Sequence, residues 1–195
     1  MSARDEMLAR IRANQPPATP LPQVPTFDGA AGSLAERFTA GVTRMGGRVV
    51  EALPRGGLAG LVAELFPHAA VIVSATPELA GNRALDPASA PAALADVDVG
   101  VVRAVFGVAE TGSVWLTQAE FKVSALGFLS QHLVVLLDRA RILDNMHHAY
   151  RQRAQFDAGY GVFMTGPSAT ADIEGILIHG AQGIRSLTVV LADPA

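Results

Sequence analysis

The chain has 195 residues, with 18 acidic and 15 basic side chains, a net charge of −3 and half of its residues apolar. That length and apolar fraction suffice for one buried core, which excludes a disordered chain, and no run of Lys or Arg follows a phosphate backbone, which argues against nucleic acid as a partner. The lack of cysteine excludes disulfides, thiolate nucleophiles, thiolate zinc sites and cysteine-held iron–sulfur clusters from this chain.

Met1 to Glu6 is charged and leads into no apolar signal core, and no stretch reaches the ~20 apolar residues of a membrane helix. A cytoplasmic location without membrane attachment is the default expectation. Ser2 is placed to cap a short helix in which Met7, Leu8 and Ile11 share a face and Asp5 and Glu6 sit in the first turn. The helix stops after Ala13. Pro16, Pro17, Pro20, Pro22 and Pro25 make the next stretch an extended connector, because each removes a backbone donor and fixes φ. Residues 1–28 therefore read as a helical arm and Pro-rich connector able to pack on another subunit, a homo-oligomer included. Residues 29–195 read as a single α/β domain.

Leu34, Phe38, Val42 and Met45 recur at helical spacing up to Gly46-Gly47, and Arg48 to Leu53 reads as a strand. A second helix over Leu58 to Phe66 is stopped by Pro67 before the apolar strand Ala70 to Val73. Strand, helix, strand at this spacing predicts a right-handed crossover and a parallel pair. Residues 74–96 read as loop with one short helix. The β-branched run Val97, Val99, Val101, Val102 and Val105, and then Val114-Trp115-Leu116, predict two strands joined by a tight turn at Glu110-Thr111-Gly112. A strand over Leu133 to Leu137 follows, then a helix over Ile142 to Gln155 with Ile142, Met146 and Tyr150 at four-residue intervals. Val162 to Met164 is a strand, Ala171 to Ile178 a helix with Ile173, Ile176 and Leu177 inward, and Ser186 to Leu191 a last strand. This alternation predicts a three-layer α/β domain on a mostly parallel sheet.

The loop Gly166-Pro167-Ser168-Ala169-Thr170 connects an apolar strand to the expected helix, whose free N–H groups would attract a carboxylate or phosphate, with hydroxyls from Ser168 and Thr170. An ordinary helix cap is the competing reading, since Pro167 offers no N–H and Asp172 and Glu174 already place negative charge in the first turn. The Walker lysine and the three-glycine dinucleotide pattern are both missing, so neither nucleotide motif is assigned.

Glu110 is the one carboxylate inside a motif. It is a base or nucleophile, or else a turn residue that bonds nearby backbone together with Thr111. His132 directly precedes a buried strand, where it either presents an imidazole to a strand-end cleft or sits satisfied at the sheet edge. Arg185 is suited to bidentate capture of a carboxylate, or to compensation of a helix C-terminus. Lys122, the sole lysine, reads as a solvated surface residue. His147 and His148 are adjacent on a helix and point to different faces, so no metal is assigned.

Gly107-Val108-Ala109-Glu110-Thr111-Gly112-Ser113, followed by Gly166-Pro167-Ser168-Ala169-Thr170-Ala171-Asp172-Ile173-Glu174 and then by Gly180, Gly183 and Arg185, resembles the signatures of the lactate-utilisation protein C (LutC/YkgG) family of LUD domains. The resemblance runs from about the first β–α unit to the C-terminus. It implies a fold like that of the NagB/RpiA/CoA transferase group, with small anionic substrates at the carboxyl ends of parallel strands. There one cleft would gather Glu110, Thr111, Gly112, Gly166, Ser168, Thr170, Arg185 and His132. It further implies a component of the oxidation of L-lactate to pyruvate, acting with iron–sulfur partner proteins, with no cofactor of its own and a small carboxylate or phosphate-bearing ligand. The alternatives are a stand-alone acyl/CoA transferase-like or folate ligase-like enzyme using Glu110, and a carboxylate-binding subunit without chemistry. Where the family is expected to read Gly-x-His-Gly-Pro-Arg, this chain has Gly180-Ala181-Gln182-Gly183-Ile184-Arg185. The role of that histidine is thus in question here, and His179 is not assumed to replace it.

Overall fold

A computed structural model describes residues 2–152, 156–157, 159–172 and 175–192. Helix α1 (Ala3–Ala13) is capped by Ser2 in a reciprocal box with Asp5 and buries none of its residues. Its contacts are therefore local, the cap and the turns of the helix itself. The connector that follows is tied down at its end: the Asn145 side-chain amide donates to the Thr26 carbonyl at 2.6 Å, and the Phe27 ring packs on His147 with centroids 4.8 Å apart.

Helix α2 (Leu34–Arg44), capped by Ser33 with Glu36, buries Phe38, Gly41 and Val42. Then come β1 (Arg48–Val50), α3 (Gly57–Leu65), β2 (Ile72–Ser74), a 3-10 turn (Pro91–Leu94), β3 (Val99–Arg103), β4 (Phe106–Val108) and β5 (Ser113–Thr117). The chain continues through α4 (Gln118–Phe121), α5 (Leu126–Leu129), β6 (His132–Asp138), β7 (Ile142–Leu143), α6 (Met146–Tyr150), β8 (Gly161–Met164), β9 (Ala169–Thr170), β10 (Ile178–His179) and β11 (Ser186–Ala192).

The central sheet has the order β1-β11-β6-β3-β2 and is parallel throughout. Both of its faces are covered, and the period of two in each strand sorts the side chains. Leu133, Val135 and Leu137 of β6 and Leu187, Val189 and Leu191 of β11 join a core with Phe38 and Val42 of α2 and with Val114 and Leu116 of β5. Val134, Leu136 and Val190 face the other way, onto Leu58, Leu61 and Val62 of α3. A second sheet, β7-β4-β5-β8, is mixed, with β4–β5 and β5–β8 antiparallel. Its outer face carries Phe106, Val108 and Trp115. The domain is mixed α/β with a mainly parallel central sheet, and among the described residues no helix is long and apolar enough to cross a membrane.

Four expectations are corrected. The strands flanking α3 run parallel but lie at opposite edges of the sheet, with β11, β6 and β3 between them. The valine run is a strand of the central sheet, β3, which ends at Arg103, and the tight turn joins β4 to β5 in the other sheet. The helix expected from Ile142 is first the strand β7, because Ile142 pairs with Gly107; Asn145 then caps the shorter α6, and Gln155 lies outside the described residues. No helix stands over Ala171 to Ile178 among the described residues: Ile178 and His179 pair back antiparallel onto Thr170 and Ala169, Gly175 has φ +70°, and Ile176 and Leu177 are exposed. Ile173 and Glu174 lie outside the described residues.

Candidate functional site

Both glycine loops land on one helix. A side chain at Gly112 (φ +69°) would overlap the backbone of Gly41 and Val42 in α2, and one at Gly166 (φ +64°) would overlap the carbonyl of Met45 just past its end. A chain of hydroxyls joins the loops: Thr111 Oγ1 lies 2.7 Å from Ser113 Oγ, which in turn bonds Thr165 Oγ1. The structure thus brings Thr111, Gly112 and Gly166 together through α2 and buried Ser113. Glu110 is exposed and turned to another task, its carboxylate accepting the Met146 N–H at the start of α6 at 3.0 Å.

The Gly166 loop sits at the amino ends of the parallel strands, which corrects the expected carboxyl-end location. Ser168 donates its N–H to the Ile184 carbonyl at 3.0 Å, just before β11, and accepts the Gly180 N–H at 2.6 Å. Among the described residues no helix terminus follows the loop to bind an anion, since the chain there enters the β9–β10 hairpin. Thr170 belongs to that hairpin, its hydroxyl accepting the Asp172 N–H at 3.2 Å.

Two hollows open at this end of the sheet. The first, of about 780 Å³, is lined by Arg48, Phe66, His68, Asp98, His132, Arg185 and Ser186, among others. His132 and Ser186 open β6 and β11 and lie in register, which sets His132 Nδ1 2.8 Å from Ser186 Oγ. The imidazole stacks on Phe66 with centroids 4.5 Å apart. Burial, and next the Arg185 guanidinium, hold its pKa below the usual histidine range, against an opposing pull from Asp98. The Arg185 backbone N–H donates to the Gln131 carbonyl at 2.7 Å, which fixes the residue beside His132.

Charge in this hollow is unevenly spent. Asp98 accepts the N–H groups of Ala70 and Val71, each at 2.8 Å, and Asp96 holds Arg83 at 2.8 Å. Arg48 and Arg185 make no ion pair with any described residue. Arg185 beside the imidazole, with Arg48 on the wall of the same hollow, can receive a carboxylate or phosphate by charge-assisted hydrogen bonds.

The second hollow, of about 850 Å³, is lined by Met45, Phe128, Phe163, Leu177 and Ile184, with Gly166, Ser168, His179 and Gln182. Gly46 belongs to the walls of both hollows. Of the residues singled out from sequence, His132 and Arg185 meet in the first hollow and Gly166 and Ser168 in the second. Glu110, Thr111, Gly112 and Thr170 line neither. Arg48, Phe66 and His68 were missed. Arg48 had a legible signal, a guanidinium placed on the first strand residue directly after Gly46-Gly47; His68 had none.

His147 and His148 do take different partners: His147 meets Phe27, while His148 Nε2 lies 2.5 Å from Asp28. Ligand atoms of Asp28, Asp144 and His148 come within 4.8 Å of one another. Arg37 holds Asp144 at 2.5 Å, and Asp28 is hydrogen-bonded to Thr26 and His148, so each of the three side chains already has a partner.

These features define an α/β domain with two hollows side by side at the amino ends of a parallel sheet, one lined by Arg48 and Arg185 with Asp96 and Asp98, the other mainly apolar with Arg44 on its wall. The LUD domain pattern matches residues 88–192, more than half of the chain, and the chain belongs to the LUD domain family. It is similar to the uncharacterized protein YkgG of Escherichia coli (strain K12), 32% identical over 104 residues, which are 49% of this chain and 44% of that one. It is also similar to Lactate utilization protein C of Geobacillus sp. (strain WCH70), 27% identical over 144 residues, 70% of this chain and 57% of that one. The chain thus spans about half the length of these curated relatives. The crystal structure of a DUF162 family protein from Deinococcus radiodurans superposes with a TM-score of 0.60 at 15% identity, covering 81% of this chain and 95% of that one. That likeness concerns the fold.

Proposed function

We propose that this chain serves L-lactate utilisation as a cluster-free component beside iron–sulfur partner proteins, and that it binds a small carboxylate or phosphate-bearing ligand between Arg48, His132 and Arg185. Membership of the LUD domain family together with similarity to Lactate utilization protein C carries the first half. The two guanidiniums without an ion pair among the described residues support the second. Oxidation of lactate to pyruvate releases two electrons, and a chain without cysteine cannot pass them to a cysteine-held cluster of its own. Glu110, engaged at Met146, does not support a transferase reading.

Calorimetric titration with L-lactate, pyruvate and phosphate tests the site. Arg48→Ala and Arg185→Ala should each weaken binding by about tenfold, as expected for one charge-assisted hydrogen bond. Unchanged affinity in both variants would remove the site. The isolated chain should not reduce a dye acceptor with L-lactate, and turnover by it alone would overturn the reading as a component.

A further inference from the structure

We infer that the anionic group received by Arg48, His132 and Arg185 is the head of a larger amphiphilic ligand, whose apolar part lies in the neighbouring hollow. The inference rests on the reading of the first hollow as the anion site. Size is the first argument. Hollows of roughly 300–1,000 Å³ are those that bury ligands of drug or cofactor size, and each of these two, at about 780 and 850 Å³, falls in that range. A short acid such as lactate would fill only a fraction of either.

Adjacency is the second argument. Gly46 is in both walls, so the two hollows share an edge there that no side chain of that residue widens. Ile184 faces the second hollow and the next residue, Arg185, the first. The third argument is the contrast in chemistry. The second hollow, with Arg44 on its wall, presents Met45, Phe128 and Leu177 to solvent, at 47%, 37% and 60% exposure, and adjoins the hollow lined by Arg48 and Arg185, which lack an ion pair among the described residues. A ligand with an anionic end and an acyl or aryl body covers the apolar group and neutralises the charge in one binding event.

Straight-chain carboxylates from acetate to octanoate, titrated calorimetrically into the full chain, test this. Affinity should rise at least twofold with each added methylene, and about fourfold where the group is fully buried, the counterpart of about 0.8 kcal/mol per CH₂. In the double variant Phe128→Ser, Leu177→Gln, both at exposed positions, the gain with length should vanish while acetate and L-lactate bind as before. In Arg185→Ala every acid should weaken by a similar factor. If short acids bind but affinity is independent of length, the amphiphile inference fails and the anion site stands. If no acid binds at any length, the anion site itself fails and takes the inference with it. Titration at two protein concentrations separates the remaining occupant: octanoate affinity that drops as the protein doubles its mass would assign the apolar hollow to a second copy and overturn the inference.

Discussion

Gly112 and Gly166, far apart in sequence, press against the same helix, the first on the third turn of α2 and the second on the carbonyl just past its end. Both take a positive φ, +69° and +64°, which a side chain resists, and both approach backbone that cannot move aside. The glycines of the two loops thus hold α2 onto the second sheet. Their role is first one of packing, and the hydroxyls of Thr111, Ser113 and Thr165 complete the joint.

Gly112→Ala should therefore cost about 3 kcal/mol, a left-handed strain of ~1 kcal/mol added to overpacking of ~2 kcal/mol. For a domain of this size that lowers Tm by roughly 10 °C. Gly57→Ala is the control: its φ is +64° but nothing lies within 4 Å of the added methyl, so only the strain of about 1 kcal/mol should remain. Equal Tm losses by calorimetry in the two variants would contradict the packing role.

Lys122 occupies a turn that L-residues avoid. At φ 59° and ψ −47° it is the centre of a positive-φ γ-turn closed by the Val123 N–H on the Phe121 carbonyl at 2.7 Å. Its side chain is exposed, in keeping with the surface lysine expected from sequence. Lys122→Gly should stabilise the protein by about 1 kcal/mol, the strain relieved outweighing the extra freedom of the unfolded chain. Urea unfolding would show this as a higher midpoint at constant slope.

His132 links stability and binding to pH with opposite signs. Its pKa in the folded chain lies below the ordinary 6.5, so on acidification the unfolded chain takes the proton first. The contribution is complete above about pH 6.5 and is lost as pH falls from there through the lower folded value. Between pH 7.5 and 5.5 the Tm should fall more for the native chain than for His132→Gln. Over the same range anion affinity should rise in the native chain, since protonation adds charge beside Arg185, and stay flatter in the variant. Parallel pH curves for the two proteins would refute the assignment.

Glu110 tests the division of labour within the first signature. Its carboxylate receives the leading N–H of α6, so Glu110→Ala should cost about 0.5–1 kcal/mol of stability, as for other helix-start contacts. Affinity for L-lactate or phosphate should be unchanged. A tenfold loss of affinity by titration would place Glu110 in the site after all.

The sequence by itself determined whatever rests on neighbours within a few residues. Ser2 with Asp5 closes one helix start, Ser33 with Glu36 another, and Leu58, Leu61 and Val62 bury as their spacing required. The apolar runs of β6 and β11 are buried strands, and His132 and Arg185 stand at their starts. Only the tertiary structure decided which strands are neighbours, and so at which end of the sheet those two residues meet. Residues 169–179 show the reason most plainly: the spacing of Ile173, Ile176 and Leu177 suggests a helix locally, yet Thr170 and Ile178 find each other as strand partners. The set Arg48, Phe66 and His132 was likewise hidden, because β1, α3 and β6 converge only when β11 inserts between β1 and β6. Hydrogen bonds and burial made across long separations set that arrangement, and no local period records them.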